Sequence, residues 1–177
     1  MQALESMAIG VVLERRKIDN PWQDHVWNAV AVLPGAAEID AWRDLGSGEG
    51  WARFHAATLP LELHRSDTEA YRVNLSDEPP RIYVLLRDGD DEDDERDAPE
   101  LSPFLVTASA FEAQDYMDSG EEVVEGVPMP DAVIAWVQTF IDKYHVDEPF
   151  KKRKRHRLDP NKVGFGRPAP GSAGRDD

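Results

Sequence analysis

Apolar and polar positions change their spacing along this chain, from near-alternation in the first two thirds to a helical period towards the end. "IGVVLERR" (Ile9 to Arg16) is a short β-branched run, and "HVWNAVAVLPG" (His25 to Gly35) is a second, closed by Pro34-Gly35. Runs of this kind bounded by turn residues read as strands. The intervening "KIDNPWQD" carries the turn signal Asn20-Pro21, which makes the two runs an antiparallel pair joined by a loop. "AEIDAWRDLGSGEG" follows as a loop or one helical turn. In "WARFHAATLPLELHRS", Leu59, Leu61 and Leu63 alternate with Pro60, Glu62 and His64, so one face is buried and one wet. Pro60 points to an edge strand or a bulge there.

"TEAYRVNL" is ambiguous between a strand and a helical turn. "RIYVLLRD" (Arg81 to Asp88) and "PFLVTAS" (Pro103 to Ser109) are the clearest strands. "AFEAQDYMDSG" predicts a helix, with Ser109 as N-cap, Glu112 placed as in a capping box and Gly120 as the stop. In "PDAVIAWVQTFIDKYH", Val133, Trp136, Val137, Phe140, Ile141 and Tyr144 recur at helical spacing, an amphipathic helix starting near Pro130 or Asp131. Strands without regular strand–helix alternation, then helices, predict an α+β fold. The expected architecture is a bent antiparallel sheet or partial barrel of four to six strands, with two C-terminal helices packed on it.

Composition divides the chain further. Its 177 residues suit one domain and a tail. Residues 1–148 hold 11 Lys/Arg and 32 Asp/Glu, a net of −21, whereas residues 149–177 hold 9 and 3, a net of +6; together they give the whole-chain −15. The expected division is a single acidic α+β domain over 1–148 and a disordered tail over 149–177, basic at first and then Pro/Gly-rich. The basic run supplies Lys151, Lys152, Arg153, Lys154, Arg155 and Arg157 as candidate partner-binding residues. Asp88 to Glu100 holds nine carboxylates and one arginine, which reads as a solvated connection or an anionic counterpart for the tail. As a calcium loop it fails, because its twelfth position is Pro99 and its sixth Asp93.

Candidate chemistry is sparse. The chain has no cysteine, which removes disulfides, thiolate metal sites and cysteine nucleophiles. "LGSGEGW" lacks the Gly-Lys-Ser/Thr ending of a phosphate loop and precedes a strand-like run, so it reads as a structural turn. The histidines, His25, His55, His64, His145 and His156, form no close pair, and a metal site would need distant positions such as His55 with His64. No catalytic, cofactor or metal residue is nominated. Trp22, Trp27, Trp42 and Trp51 crowd the N-terminal third, where large aromatics read as core. Trp22 and Trp42 are carried also as candidate partner-binding residues. Trp136, on the helical stripe, reads as core. No apolar run reaches membrane-spanning length and no secretory signal is apparent at the start, so a cytoplasmic protein is expected.

The combination "VVLERRKIDNPWQDHVWNAVAVLPG", "RFHAATLPLELHRSDTEAYRVNLSDEPPRIYVLLR", "VEGVPMPD" and "YHVDEPFKKRKR" resembles a proteobacterial family of uncharacterised proteins. Its members are often labelled molybdopterin-guanine dinucleotide biosynthesis protein A and tend to be encoded beside molybdenum-dependent formate dehydrogenase genes. The resemblance implies a non-catalytic accessory or maturation protein that binds formate dehydrogenase or its maturation factors. The label implies a nucleotidyltransferase instead, yet such enzymes open on an L-A-G-G-x-S-x-R-M-G loop, and this chain has "MAIGVVLERRKIDN" there. Nucleic-acid binding through the tail is a third reading, opposed by the −21 body.

Overall fold

Ile9, Val11 and Leu13 project from one face of β1 (Glu5–Lys17) and are fully buried, which makes this strand the floor of the core. The structure, a computed structural model, describes residues 5–88 and 101–146. β1 pairs antiparallel on one side with β2 (His25–Pro34) and on the other with β4 (Trp51–Leu63), which in turn pairs with β3 (Arg43–Gly48). A second antiparallel sheet has β5 (Arg81–Asp88) between β6 (Leu101–Thr107) and β7 (Val123–Pro128). The fold is thus α+β, with the expected antiparallel strands divided between two sheets and no closed barrel among the described residues.

Ile82, Val84 and Leu86 of β5, Val106 of β6 and Val127 of β7 meet the β1 stripe in one core. Helix α3 (Asp131–Tyr144) adds Val133, Val137, Phe140 and Ile141, at the spacing the sequence predicts. Burying each such large side chain contributes about 1.5–3 kcal/mol. Trp136 is half-buried against this core, and its Nε1 donates to Glu5 Oε1 at 3.2 Å. Helix α2 (Ala110–Ser119) contacts β6 and β7. Its ends follow the capping logic, since Ser109 Oγ accepts from the Glu112 amide at 3.1 Å and Gly120 closes it at φ 68°.

Three segments differ from the sequence reading. "TEAYRVNL" is helix α1 (Thr68–Leu75), because Thr68, Ala70, Tyr71 and Asn74 are buried at spacings that only a helix puts on one side. This helix is additional to the two expected ones. "RDLGSG", read as loop or helical turn, is strand β3: the two-residue turn Glu49-Gly50, with Gly50 at φ 78°, folds it back onto β4. Pairing overrides its poor intrinsic strand propensity. With "VVEGVP" as β7, the described strands number seven rather than four to six. Pro60 stands opposite Ala8 of β1, beyond the last β3 pair at His55, so on that side it blocks no ladder hydrogen bond.

Candidate functional site

The inner face of β1 changes character along its length. Ile9, Val11 and Leu13 are core, but the next two positions on that face are Arg15 and Lys17, where the strand runs past the apolar interior. Register places Trp27 and Ala52 opposite Arg15, and His25 opposite Lys17. A bulge in β2 between the Val12 and Leu13 pairs, and one in β4 between the Val11 and Val12 pairs, set this alignment.

Trp27, Trp42 and Phe54 form a three-ring cluster at this end of the sheet. Trp27 and Trp42 meet edge to face with centroids 5.6 Å apart, and each lies 5.8 Å from Phe54. The Arg15 guanidinium carbon is 5.8 Å from the Trp27 and Phe54 centroids alike, a cation–π arrangement that holds the side chain in place. Beside it opens a cleft of about 280 Å³, bordered by Arg15, Lys17, His25 and Trp51 and by the side-chain-free Gly48 and Gly50. The Lys17 amide donates to the Gly50 carbonyl at 2.7 Å and ties the β1 end to the β3–β4 turn. Trp51 packs so closely on Gly48 that a Cβ there would stand 2.4 Å from its Nε1, and Arg53 lies 5.5 Å from its ring centroid. Among the described residues no carboxylate borders the cleft.

The loop from Ile18 to Asp24 connects Lys17 with His25 and carries Trp22 at its turn. Trp22 is 92% exposed, and its amide donates to Asn20 Oδ1 at 2.9 Å. The core reading of the tryptophans therefore fails for Trp22, because Asn20-Pro21 turns the chain away from the sheet before the tryptophan is reached. It holds for Trp27 and Trp42, which pack against the core from its margin. The partner-binding candidates thus separate, Trp22 projecting into solvent and Trp42 partly buried against the core in ring contact with Trp27 and Phe54. Lys151, Lys152, Arg153, Lys154, Arg155 and Arg157 lie outside the described residues, as do residues 89–100 of the acidic stretch.

Sequence reasoning passed over Arg15, Lys17 and His25. Their signal is the stripe Ile9, Val11, Leu13, Arg15, Lys17, in which an apolar face becomes cationic without breaking step. His55 and His64 do not meet. At about 3.3 Å per residue, nine positions along one strand separate them by roughly 30 Å. His55 is buried and bonded to Thr58 Oγ1 at 2.9 Å, while His64 lies 3.6 Å from Glu62. Among the described residues no group of three or more His, Asp or Glu is placed to hold a metal. "LGSGEGW" runs from β3 through its tight turn into β4, and no helix follows it.

Two carboxylates elsewhere are shifted in opposite senses. Glu14 is buried and accepts from Arg53 Nε at 2.9 Å and Arg16 Nε at 3.0 Å; chiefly the Arg53 bond, against the cost of desolvation, holds its carboxyl below the usual value. Glu125, on β7, is pushed up by burial, with the Ala29 amide acting more weakly the other way.

No helix among the described residues is long and apolar enough to cross a membrane. No curated protein and no solved structure matches this chain significantly. Over residues 8–154 the sequence does match one family, and the chain belongs to it: the family described as protein of unknown function, DUF3305.

Proposed function

We propose that this protein is a non-catalytic accessory factor that acts by binding another protein, and that its partner belongs to the molybdenum-dependent formate dehydrogenase system. The observation that carries the docking half is Trp22, 92% exposed on the loop that joins two cleft residues, Lys17 and His25. Tryptophan is among the residues most enriched at the energetic centres of protein interfaces. A solvent-facing indole suits binding better than folding. The identity of the partner rests on the resemblance of "VVLERRKIDNPWQDHVWNAVAVLPG" and the other quoted segments. The basic run from Lys151 to Arg157 supplies a second, sequence-level means of meeting an acidic surface.

The test is affinity capture from native lysate with the full-length chain and with Trp22→Ala, followed by mass spectrometry. Formate dehydrogenase subunits or their maturation proteins are expected with the parent chain and depleted with the variant. Recovery of neither with the parent chain overturns the proposal. The nucleotidyltransferase reading is checked by calorimetry with GTP and Mg²⁺, where saturable binding would favour it instead.

A further inference from the structure

We infer that Arg16 and Arg53 form a clamp for a single phosphate monoester group on the outer face of the four-stranded sheet, with the buried carboxylate of Glu14 holding the two arginines side by side. Side chains alternate along β1, so this face is the reverse of the one that carries Arg15 and Lys17. The inference goes beyond the docking reading and does not depend on it.

The hydrogen bonds of Glu14 are the first argument. Its side chain is 8% exposed, and it accepts from Arg16 Nε through Oε1 at 3.0 Å and from Arg53 Nε through Oε2 at 2.9 Å. Two donors on one carboxylate stand within roughly 8 Å of each other, about the span that one phosphate bridges between two charge-assisted bonds of about 2.8 Å. Among the described residues neither arginine gives its Nη1 or Nη2 to a protein acceptor. Both side chains are about half exposed, and the two terminal nitrogens of each planar fork remain to hold a ligand.

Charge is the second argument. One arginine would balance Glu14, and two leave the group with one positive charge in excess. Opposite Val12, Glu14 and Arg16, the register sets His55, Arg53 and Trp51 of β4 on this face, with Arg43, Gly46 and Gly48 of β3 beyond them. Arg43 is therefore a third arginine on a stretch of sheet where Glu14 is the one acid among these strand positions, in a domain whose residues 1–148 sum to −21. Such a local reversal of sign steers an anion to this spot. Preorganisation is the third argument. Glu14 fixes both forks at Nε, and the Trp51 ring centroid lies 5.5 Å from the Arg53 guanidinium carbon, so less side-chain freedom is lost when a ligand arrives. Few arginines on a repelling body suit one phosphate group and not a nucleic-acid backbone, which is held by many cations at once.

The ¹⁵N-labelled full-length chain is titrated with inorganic phosphate, with O-phosphoserine and with acetate at constant ionic strength. NMR follows the arginine Nε–H and the Trp51 indole N–H resonances, which separates this site from the basic run between Lys151 and Arg157. Both phosphates are expected to move the Arg16, Arg53 and Trp51 signals together and saturably, and acetate to leave them in place. Affinity, read on the signals that remain, is expected to fall roughly tenfold or more in Arg16→Gln and in Arg53→Gln. Thermal unfolding checks that both variants are folded. Arg53→Lys keeps the charge but loses the planar fork, and it is expected to weaken binding too. A short phosphoserine peptide that binds more tightly than O-phosphoserine assigns the phosphate to a modified chain, whereas equal affinities assign it to a small phosphate monoester. Equal shifts with acetate overturn the inference, as does unchanged phosphate affinity in either Gln variant or in Arg53→Lys. If neither phosphate moves the arginine signals, Glu14 and its two arginines are a structural ion pair alone, and the inference is overturned as well.

Discussion

Glu125 of β7 accepts a hydrogen bond through Oε2 from the backbone amide of Ala29 on β2, so that a side chain of one sheet satisfies the edge of the other. Asn28, with its amide turned to donate, reaches Glu125 Oε1 at 3.1 Å. β2 is an outer strand, and its outward-facing amides have no strand partner in their own sheet. Glu125→Ala leaves the Ala29 amide without its acceptor and is expected to cost about 1–3 kcal/mol. Glu125→Gln keeps an acceptor and removes a desolvated charge, so it should lie within about 1 kcal/mol of the parent. Urea unfolding at pH 7 compares the three.

The same residue sets a slope of stability against pH. Its carboxyl is raised in the folded protein above the usual 4.5, chiefly by burial, so the native state binds more protons than the unfolded chain in the window just above that value. Stability contributed here therefore falls as pH rises through the window. Glu125→Gln is expected to remove this fall, which unfolding at half-unit pH steps from 4 to 7 would register.

Glu14 has the opposite sign. Arg53 and Arg16 hold its carboxyl below 4.5 in the folded state, so its stabilisation is present above that value and is lost as pH drops through the folded one. Both arginines are about half exposed, which screens the pair and limits its worth to about 1 kcal/mol or less. Glu14→Gln should unfold less steeply with acid than the parent, and 0.5 M NaCl should narrow the difference.

How far these relationships were legible depends on how local they are. Ser109, Glu112 and Gly120 announce α2, and the Val133, Val137, Phe140 and Ile141 period announces α3, because a helix draws its hydrogen bonds from its own sequence. β3 has no such signature: its glycines favour a turn, and only pairing with β4 makes it a strand. Trp22 and Trp27 look alike by composition, and Asn20-Pro21 is the clue that separates loop from strand. The cleft was half legible, in the passage from Leu13 to Arg15 and Lys17. Its other half depends on which residues of β2 and the β3–β4 turn arrive opposite them, and two bulges decide that register.

Asn74 is completely buried and ties three elements together. Its Nδ2 donates to the carbonyls of Arg81 at 2.7 Å and Ala108 at 2.9 Å, and its Oδ1 accepts from the Arg81 amide at 2.9 Å. Asn74→Asp removes both donors and sets a carboxylate against two carbonyl oxygens. A loss of about 3 kcal/mol or more is expected, larger at pH 7 than at pH 4, where protonation restores one donor. Asn74→Leu should also destabilise, without that pH dependence.

Gly10 is required by close approach. A Cβ at this position would stand 2.8 Å from His55 Nε2 and 2.9 Å from the Ala36 Cβ. His55 has little room to retreat, since it is buried and its Nε2 lies 2.9 Å from Thr58 Oγ1, whose own proton is donated to the Ala37 carbonyl at 2.7 Å. That donation leaves the Thr58 oxygen to accept, and so assigns the histidine proton to Nε2. Gly10→Ala therefore crowds the loop after β2 and the outer face of β4 together, with an expected cost of about 1–3 kcal/mol. In a domain of this size each kcal/mol lowers the unfolding temperature by about 2–4 °C, which calorimetry would resolve. In a His55→Ala background the penalty of adding the methyl group should shrink, because only the contacts with the Cβ atoms of Ala36 and Leu33 remain; an unchanged penalty would assign the crowding to β2 and the loop after it instead.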